Sequence, residues 1–482
     1  FPNWYLGVPR RFVTGPVVPL LTILINKFSG LPLESSYVVL IILMWILGGF
    51  GVWKLVHELG GGKRAGWSAC GLFLLLPGHI LLSTYGNGLH HLVISLLPWI
   101  CFLWFKTLKH WQVAWIISTL ILLSAVLLID VGGILLFIVA GVLITLMGDK
   151  RDWGTGGLKS ILLIITALSI ATIWYTPRFW WTLLGNPSFG GKPLANVIPF
   201  ILQLLQALIP LILGAWFVQR KYRLRNGLMR FGVLFGSSFL FLTVIRFLSD
   251  IDFWMDWTSY ILELQFALAL VLPVVVFKLV QRTKTIQIIT FLNILTLTII
   301  DSGLAFMLYK TDEKVVAYQV GIRKLAGENV KLDQRIFLSG SPVFWLGSAK
   351  QNLLQVRGGR DEIATHPTWA MGAYNIREGE DHELLNNWLS IFGVSKILVH
   401  EEGSQEYFRD FKNIDRFDEL VKIEEKDGNA LYEHESSIAR LASKDILEIP
   451  SPQEGSDENA LVRYSDALGV PVDGLGTLST KE

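Results

Sequence analysis

Cysteine is nearly absent: the 482-residue chain has two, Cys70 and Cys101, and both lie in apolar runs. That excludes a disulfide framework and makes both thiols expected small core residues. Charge is scarce as well, at 17% of residues with a net charge of +2, so nothing here is built to hold nucleic acid. No zinc, dinucleotide or P-loop phosphate motif occurs. The nearest approach, Arg357-Gly-Gly-Arg-Asp361, lacks the glycine spacing of either phosphate loop. The chain starts without Met, and no Asp or Glu appears before Glu34.

What is there is apolar. Hydrophobic residues make up 52%, mean hydropathy is +0.47 and there are 18 Trp, values of a membrane protein. Runs near the length of a bilayer crossing recur at about 36–56, 65–83, 89–105, 112–129, 132–147, 158–176, 197–218, 231–247, 259–280 and 286–309. The fold class expected is therefore mostly α, a polytopic transmembrane helical bundle of about ten spans, spread over 36–309. Pro16–Phe28 is too short and Pro-rich to cross, and reads as a helix lying at the interface within residues 1–35.

Charge orients the spans. Lys54, Lys63 and Arg64, then Lys106 and Lys109, then Lys150, Arg151 and Lys159 sit in alternate connections. Arg220 to Arg230 and Lys278 to Lys284 continue the series, while the connections between them carry few cations. The positive-inside rule makes the basic connections cytoplasmic. Residues 1–35 and everything after Lys310 are then extracytoplasmic. A chain that begins outside is expected to follow an upstream crossing or a cleaved signal peptide.

From about 313 the composition turns polar. Short runs (RIFLSG, SKILVH, LVKIEE, NALYEH) read as strands and ELLNNWLSIFG as a helix, with Asp427-Gly428-Asn429 as a hairpin turn. A mixed α/β domain is expected over 313–436, followed by a Ser/Pro/Glu-rich linker and tail over 437–482.

Ionisable residues in or beside the spans gather toward the outer ends: His79, His90, His91, Asp130, Arg246, Asp250, Asp252, Asp256, Glu263 and Asp301. A charge at membrane depth costs a few kcal/mol, so it faces a cavity or a partner. Asp301 is the clearest case, with structural pairing to Arg246 as its bland alternative. Asp250, Asp252 and Asp256 alternate with aromatics in SDIDFWMDWTSY, which suits a sugar, a divalent cation or a solvated interfacial loop. His90-His91 would make a weak metal site alone, and helix capping or headgroup contact is the expected role. Arg10, Arg11 and Arg178 are cations on the outer side, suited to a lipid-carrier phosphate or to headgroups.

Several stretches together resemble a known family. Gly7-Val-Pro9 and Gly15-Pro16 before a short apolar helix, YGNGLHHLVISLLPW, SYILELQFALAL, and RIFLSGSPVFW…QVRGGRD…YNIREGED…WLSIFGVSKILVH resemble GT-C type glycosyltransferases. They look closest to the prokaryotic membrane proteins labelled 6-pyruvoyl-tetrahydropterin synthase-related. The resemblance implies a GT-C-like membrane enzyme of the cell envelope. It would move a sugar from a polyprenyl-phosphate carrier to an acceptor glycan, lipid or protein, with a divalent metal as an optional helper. It implies a main catalytic carboxylate in an external loop upstream of Phe1, leaving Asp130, Glu263 and Asp301 as candidates within the chain. Arg10, Arg11, Arg178, Arg246, Asp250, Asp252, Asp256, His90 and His91 would then serve substrate binding. Two rivals stay open: a non-catalytic envelope protein that binds glycan or a partner, and a transporter or flippase of lipid-linked sugars.

Overall fold

The computed structural model describes residues 15–76, 78, 88–147, 153–184, 227–249, 260–280, 296, 299–300, 303, 313–331, 333–349, 353–358, 369–436, 441–442, 463 and 476–477. The chain divides into two compact units. One is Thr14–Thr176 with Phe200–Lys310; the other is Phe1–Val13, Pro177–Pro199 and Thr311–Glu482.

The first unit is helical. Its described helices are α1 (Val17–Ser29), α2 (Leu33–Glu58), α3 (Gly62–Leu75), α4 (Gly88–His110), α5 (Val113–Leu127), α6 (Gly133–Met147) and α7 (Trp153–Ala171). After α8 (Pro177–Leu184), which belongs to the second unit, come α9 (Gly227–Ser249) and α10 (Ile261–Val280). Eight expected spans fall on α2 to α7, α9 and α10, while the runs at 197–218 and 286–309 lie outside the described residues, save isolated positions of the latter. Four described segments are long and apolar enough to cross a membrane: Leu33–Glu58, Leu89–His110, Trp153–Ala171 and Gly227–Val244. Others are shorter; α5, at 15 residues, reaches about 22 Å.

Between lipid-soluble helices burial of apolar surface gives little drive, so contact depends on close approach and interhelical hydrogen bonds. The α2–α4 seam shows both. A Cβ added to Gly48 would stand 2.7 Å from the Ser95 carbonyl oxygen, and one on Gly51 would meet the Trp99 ring at 2.7 Å. The Trp99 indole N–H donates to the Leu47 carbonyl at 2.8 Å. Further along, Lys106 pairs with Glu58 at 2.7 Å. Because both partners advance together along their helices, α2 and α4 are parallel. Elsewhere the Trp104 indole donates to Ser160 Oγ at 3.1 Å, and Arg230 Nη2 donates to the Leu146 carbonyl at 2.6 Å, satisfying an end group of α6. Cys70 and Cys101 are buried free thiols, as expected.

The second unit contains a five-stranded sheet: β1 (Arg335–Phe337), β2 (Leu354–Gln355), β3 (Val394–His400), β4 (Val421–Lys426) and β5 (Asn429–Glu433), in the order β2-β1-β3-β5-β4. β2, β1 and β3 run parallel, and β3-β5-β4 are antiparallel. The four strand-like runs became β1, β3, β4 and β5, and the helical pattern became α14 (His382–Ile391). Asp381 caps that helix, accepting from the Leu384 N–H at 3.1 Å. β4 and β5 are joined by Asp427 at φ 51° and Gly428 at φ 69°, the left-handed pair a two-residue hairpin needs. Helix α11 (Glu313–Asn329) buries Ile322, Leu325 and Ala326 against Ile336, Leu338, Leu398 and Leu431. The described residues also form α12 (Pro342–Ala349) and α13 (Trp369–Glu378). Every residue of β3 is buried, as suits the middle of a covered sheet.

Candidate functional site

Within the helical unit, the first turns of α4 and α10 meet. His90 Nε2 lies 3.0 Å from Glu263 Oε1, and neither side chain reaches solvent. Each is the third residue of its helix. That position faces the positive end of the helix dipole. Transfer of an unpaired carboxylate out of water is costly, so Glu263 selects a neighbour that can carry a proton.

The surroundings are apolar and aromatic. Phe266 stands against Phe73 at 6.4 Å and Phe235 at 5.4 Å, ring centre to ring centre. Tyr260, fully buried, lies 5.9 Å from Phe239. His91 meets the Trp45 ring edge-on at 6.1 Å. Gln265, also on the first turns of α10, packs against Gly78: a Cβ there would sit 2.1 Å from its Nε2, so the missing side chain at Gly78 makes its room. What this cluster offers chemically is a carboxylate beside an imidazole inside a low-dielectric wall, two groups of the kind that take up and release protons.

The expected site residues fare differently. Glu263 and His90 come together, although His90 and His91 were expected to cap a helix or touch headgroups. Both side chains are buried in the first turn of α4. Asp130 lies in the turn between α5 and α6, half-buried, where Oδ1 accepts from the Gly132 N–H at 3.1 Å. This is a local side-chain-to-backbone turn bond. Arg178 is exposed on α8 of the second unit, beside the Phe179–Trp180 ring pair. Arg246 lies on α9, its side chain outside the described residues. Arg10, Arg11, His79, Asp250, Asp252, Asp256 and Asp301 also lie outside them. Gln265 and Tyr260 were missed in the sequence, although both stand in the quoted stretch SYILELQFALAL. Among the described residues no group of three or more His, Cys, Asp or Glu gathers as a metal site.

No protein-family profile and no curated protein matches the sequence. Seventeen chains of solved structures do. Among them is the oligosaccharyltransferase of Archaeoglobus fulgidus, crystallised tethered through a disulfide bond with an acceptor peptide containing the NVT sequon. Identity is 13% and the TM-score 0.48, over 87% of this chain and 65% of that one. The chain thus spans 65% of its neighbour's length. A likeness of that degree says nothing of chemistry or partners, and the pterin-related family label gains no support from it.

Proposed function

We propose that the protein is a membrane glycosyltransferase that moves a sugar from a polyprenyl-phosphate carrier to an acceptor hydroxyl or amide on the extracytoplasmic side. The observation that carries this reading is the buried His90–Glu263 contact where α4 and α10 both begin. In such a transfer the acceptor gives up a proton as its oxygen or nitrogen bonds to sugar C1. The C1–O bond to the carrier breaks, and the phosphate leaves with the electron pair. The chain must hold the released proton, and a carboxylate-supported imidazole suits that task. The charge pattern, under which the starts of α4 and α10 would face outward, supports an approach by an extracytoplasmic acceptor. Arg10, Arg11, Arg178, Arg246 and the Asp250–Asp256 loop keep their proposed part in binding the carrier phosphate and sugar.

The test is transfer of a radiolabelled sugar from a polyprenyl-phosphate donor in proteoliposomes. His90→Gln and Glu263→Gln are each expected to lower turnover by about a hundredfold or more. Turnover that survives both substitutions would remove the pair from the mechanism. A carrier of lipid-linked sugars would instead show donor movement across the bilayer without acceptor modification, and that result would replace the enzyme reading.

A further inference from the structure

The second unit holds a site that the transfer reading does not use. In a sheet ordered β2-β1-β3, the connection from β1 through α12 leads to β2 on one side of β1. The connection from β2 through α13 and α14 then returns to β3 on the other. The carboxyl ends of β1 and β3 therefore flank a point where successive connections leave in opposite directions, the place where open α/β sheets leave a crevice for a ligand.

The residues there are polar, planar and partly accessible. Asp410, from the loop after β3, accepts from Arg357 Nη1 at 3.2 Å and stands 3.4 Å from Arg377 Nη1. The Ser339 hydroxyl, just past β1, also donates to Asp410, and Arg357 Nη1 reaches that hydroxyl at 2.8 Å. Arg357 follows β2 and Arg377 belongs to α13, so all three parallel-strand ends and a crossover helix contribute.

The loop that carries Asp410 also displays aromatic rings. Tyr407 is 88% exposed and Phe408 57% exposed, with their rings edge-to-face at 5.0 Å. Tyr374, one helical turn before Arg377, is 53% exposed. These rings are not on a loose tip. Glu406 accepts from Tyr318 Oη at 2.7 Å, from Ser341 Oγ at 2.5 Å and from the Phe408 N–H at 3.1 Å. The Glu406 N–H donates to Ser404 Oγ at 3.1 Å, and Arg409 Nη2 donates to the Ser404 carbonyl at 2.8 Å. The Lys412 N–H is bonded to the Arg377 carbonyl at 3.0 Å, tying the loop to α13. A loop held this firmly that still turns the rings of Tyr407 and Phe408 to water presents a built contact face.

We propose that this face, made of Tyr374, Tyr407, Phe408, Arg357, Arg377 and Asp410, binds a pyranose oligosaccharide. The C–H faces of a sugar ring lie on aromatic rings, while neighbouring hydroxyls match the paired oxygens of a carboxylate and the fork of a guanidinium. A protein surface would ask for a broader apolar patch, and a bilayer surface would not call for a carboxylate held between two arginines. Binding is expected whether or not the chain transfers sugar.

The test is calorimetric titration of the full chain in lipid nanodiscs with chitohexaose, maltohexaose and a mannohexaose. Saturable binding of at least one is expected. The Tyr407→Ala/Phe408→Ala double variant, altered only at exposed rings, should weaken it at least about tenfold. Arg377→Lys, which keeps the charge and loses the fork, should weaken it too. Failure of all three sugars to bind, or an unchanged affinity in the double variant, overturns the proposal. A spin label on Tyr407→Cys supplies an independent check, since both native thiols are buried. Accessibility to an aqueous nickel complex is expected, and preferential access to oxygen from within the lipid would make the rings a membrane anchor instead.

Discussion

Removing one partner of the His90–Glu263 contact separates a structural reading of the site from a functional one. The two atoms are 3.0 Å apart and both side chains are fully buried. Glu263→Leu would leave an imidazole, and His90→Leu a carboxylate, in a wall of Phe and Tyr. Stranding a buried charge costs about 3–5 kcal/mol, and stranding a neutral polar group about 1–3. The double variant His90→Leu/Glu263→Leu replaces the pair by two apolar side chains and should return to within ~1–2 kcal/mol of the native protein. The assay is a double-mutant cycle on unfolding of the detergent-solubilised chain, run beside sugar transfer. A stable but inactive double variant is the expected outcome. Strictly additive single-site costs, leaving no coupling term, would mean that the contact is not an interaction at all.

Other expectations follow from the packing, the turn, the titration and the charges. Gly48→Ala would drive a methyl against the Ser95 carbonyl at 2.7 Å and should loosen the α2–α4 seam, read as a lower thermal midpoint. Gly428→Ala adds a Cβ at positive φ that would stand 2.1 Å from the Gly403 carbonyl carbon, so the β4–β5 hairpin should lose protection from hydrogen exchange. Burial pushes the Asp410 carboxyl up, but the Ser339 hydrogen bond and the charges of Arg377 and Arg357 outweigh it and hold the group below the usual carboxylate range. The stabilisation is thus present above about pH 4 and lost as pH falls through the lower folded value. Exchange protection of residues 404–413, corrected for intrinsic rate, should fall over that window and lose this dependence in Asp410→Asn. Finally, a cysteine placed at Gly61 should resist a membrane-impermeant thiol reagent added outside sealed cells, and labelling there would reverse the proposed orientation.

The helices were legible because lipid-facing and core-facing residues are both apolar, so a span shows as a continuous run whatever its neighbours. β3 showed for the same reason, buried on both faces. β2, two residues long, left no periodic trace, and α12 follows the turn-like Ser339-Gly340-Ser341-Pro342, which masks a helix start. The site was half legible. Glu263 drew attention as a carboxylate in an apolar run. Its partner could not be read, because His90 lies far away in the chain and only helix packing decides whether two such residues meet. Periodicity places a side chain on a face of its own helix and says nothing of which face of another helix it will see. Asp410 drew none, since a carboxylate in a polar loop looks like any other until two arginines close on it.

The strand order β2-β1-β3-β5-β4 has a consequence for how the protein is made. β5 is the last of these strands to leave the ribosome, yet it pairs with both β3 and β4. Until residue 433 has emerged, β3 has an open edge and β4 has nothing to hold it. Loss of the chain beyond Lys426 would remove the strand that joins β4 to the rest of the sheet rather than trim its border. A translational pause or an early stop in that stretch would expose β3, all of whose residues the finished sheet buries, to chaperones or to aggregation.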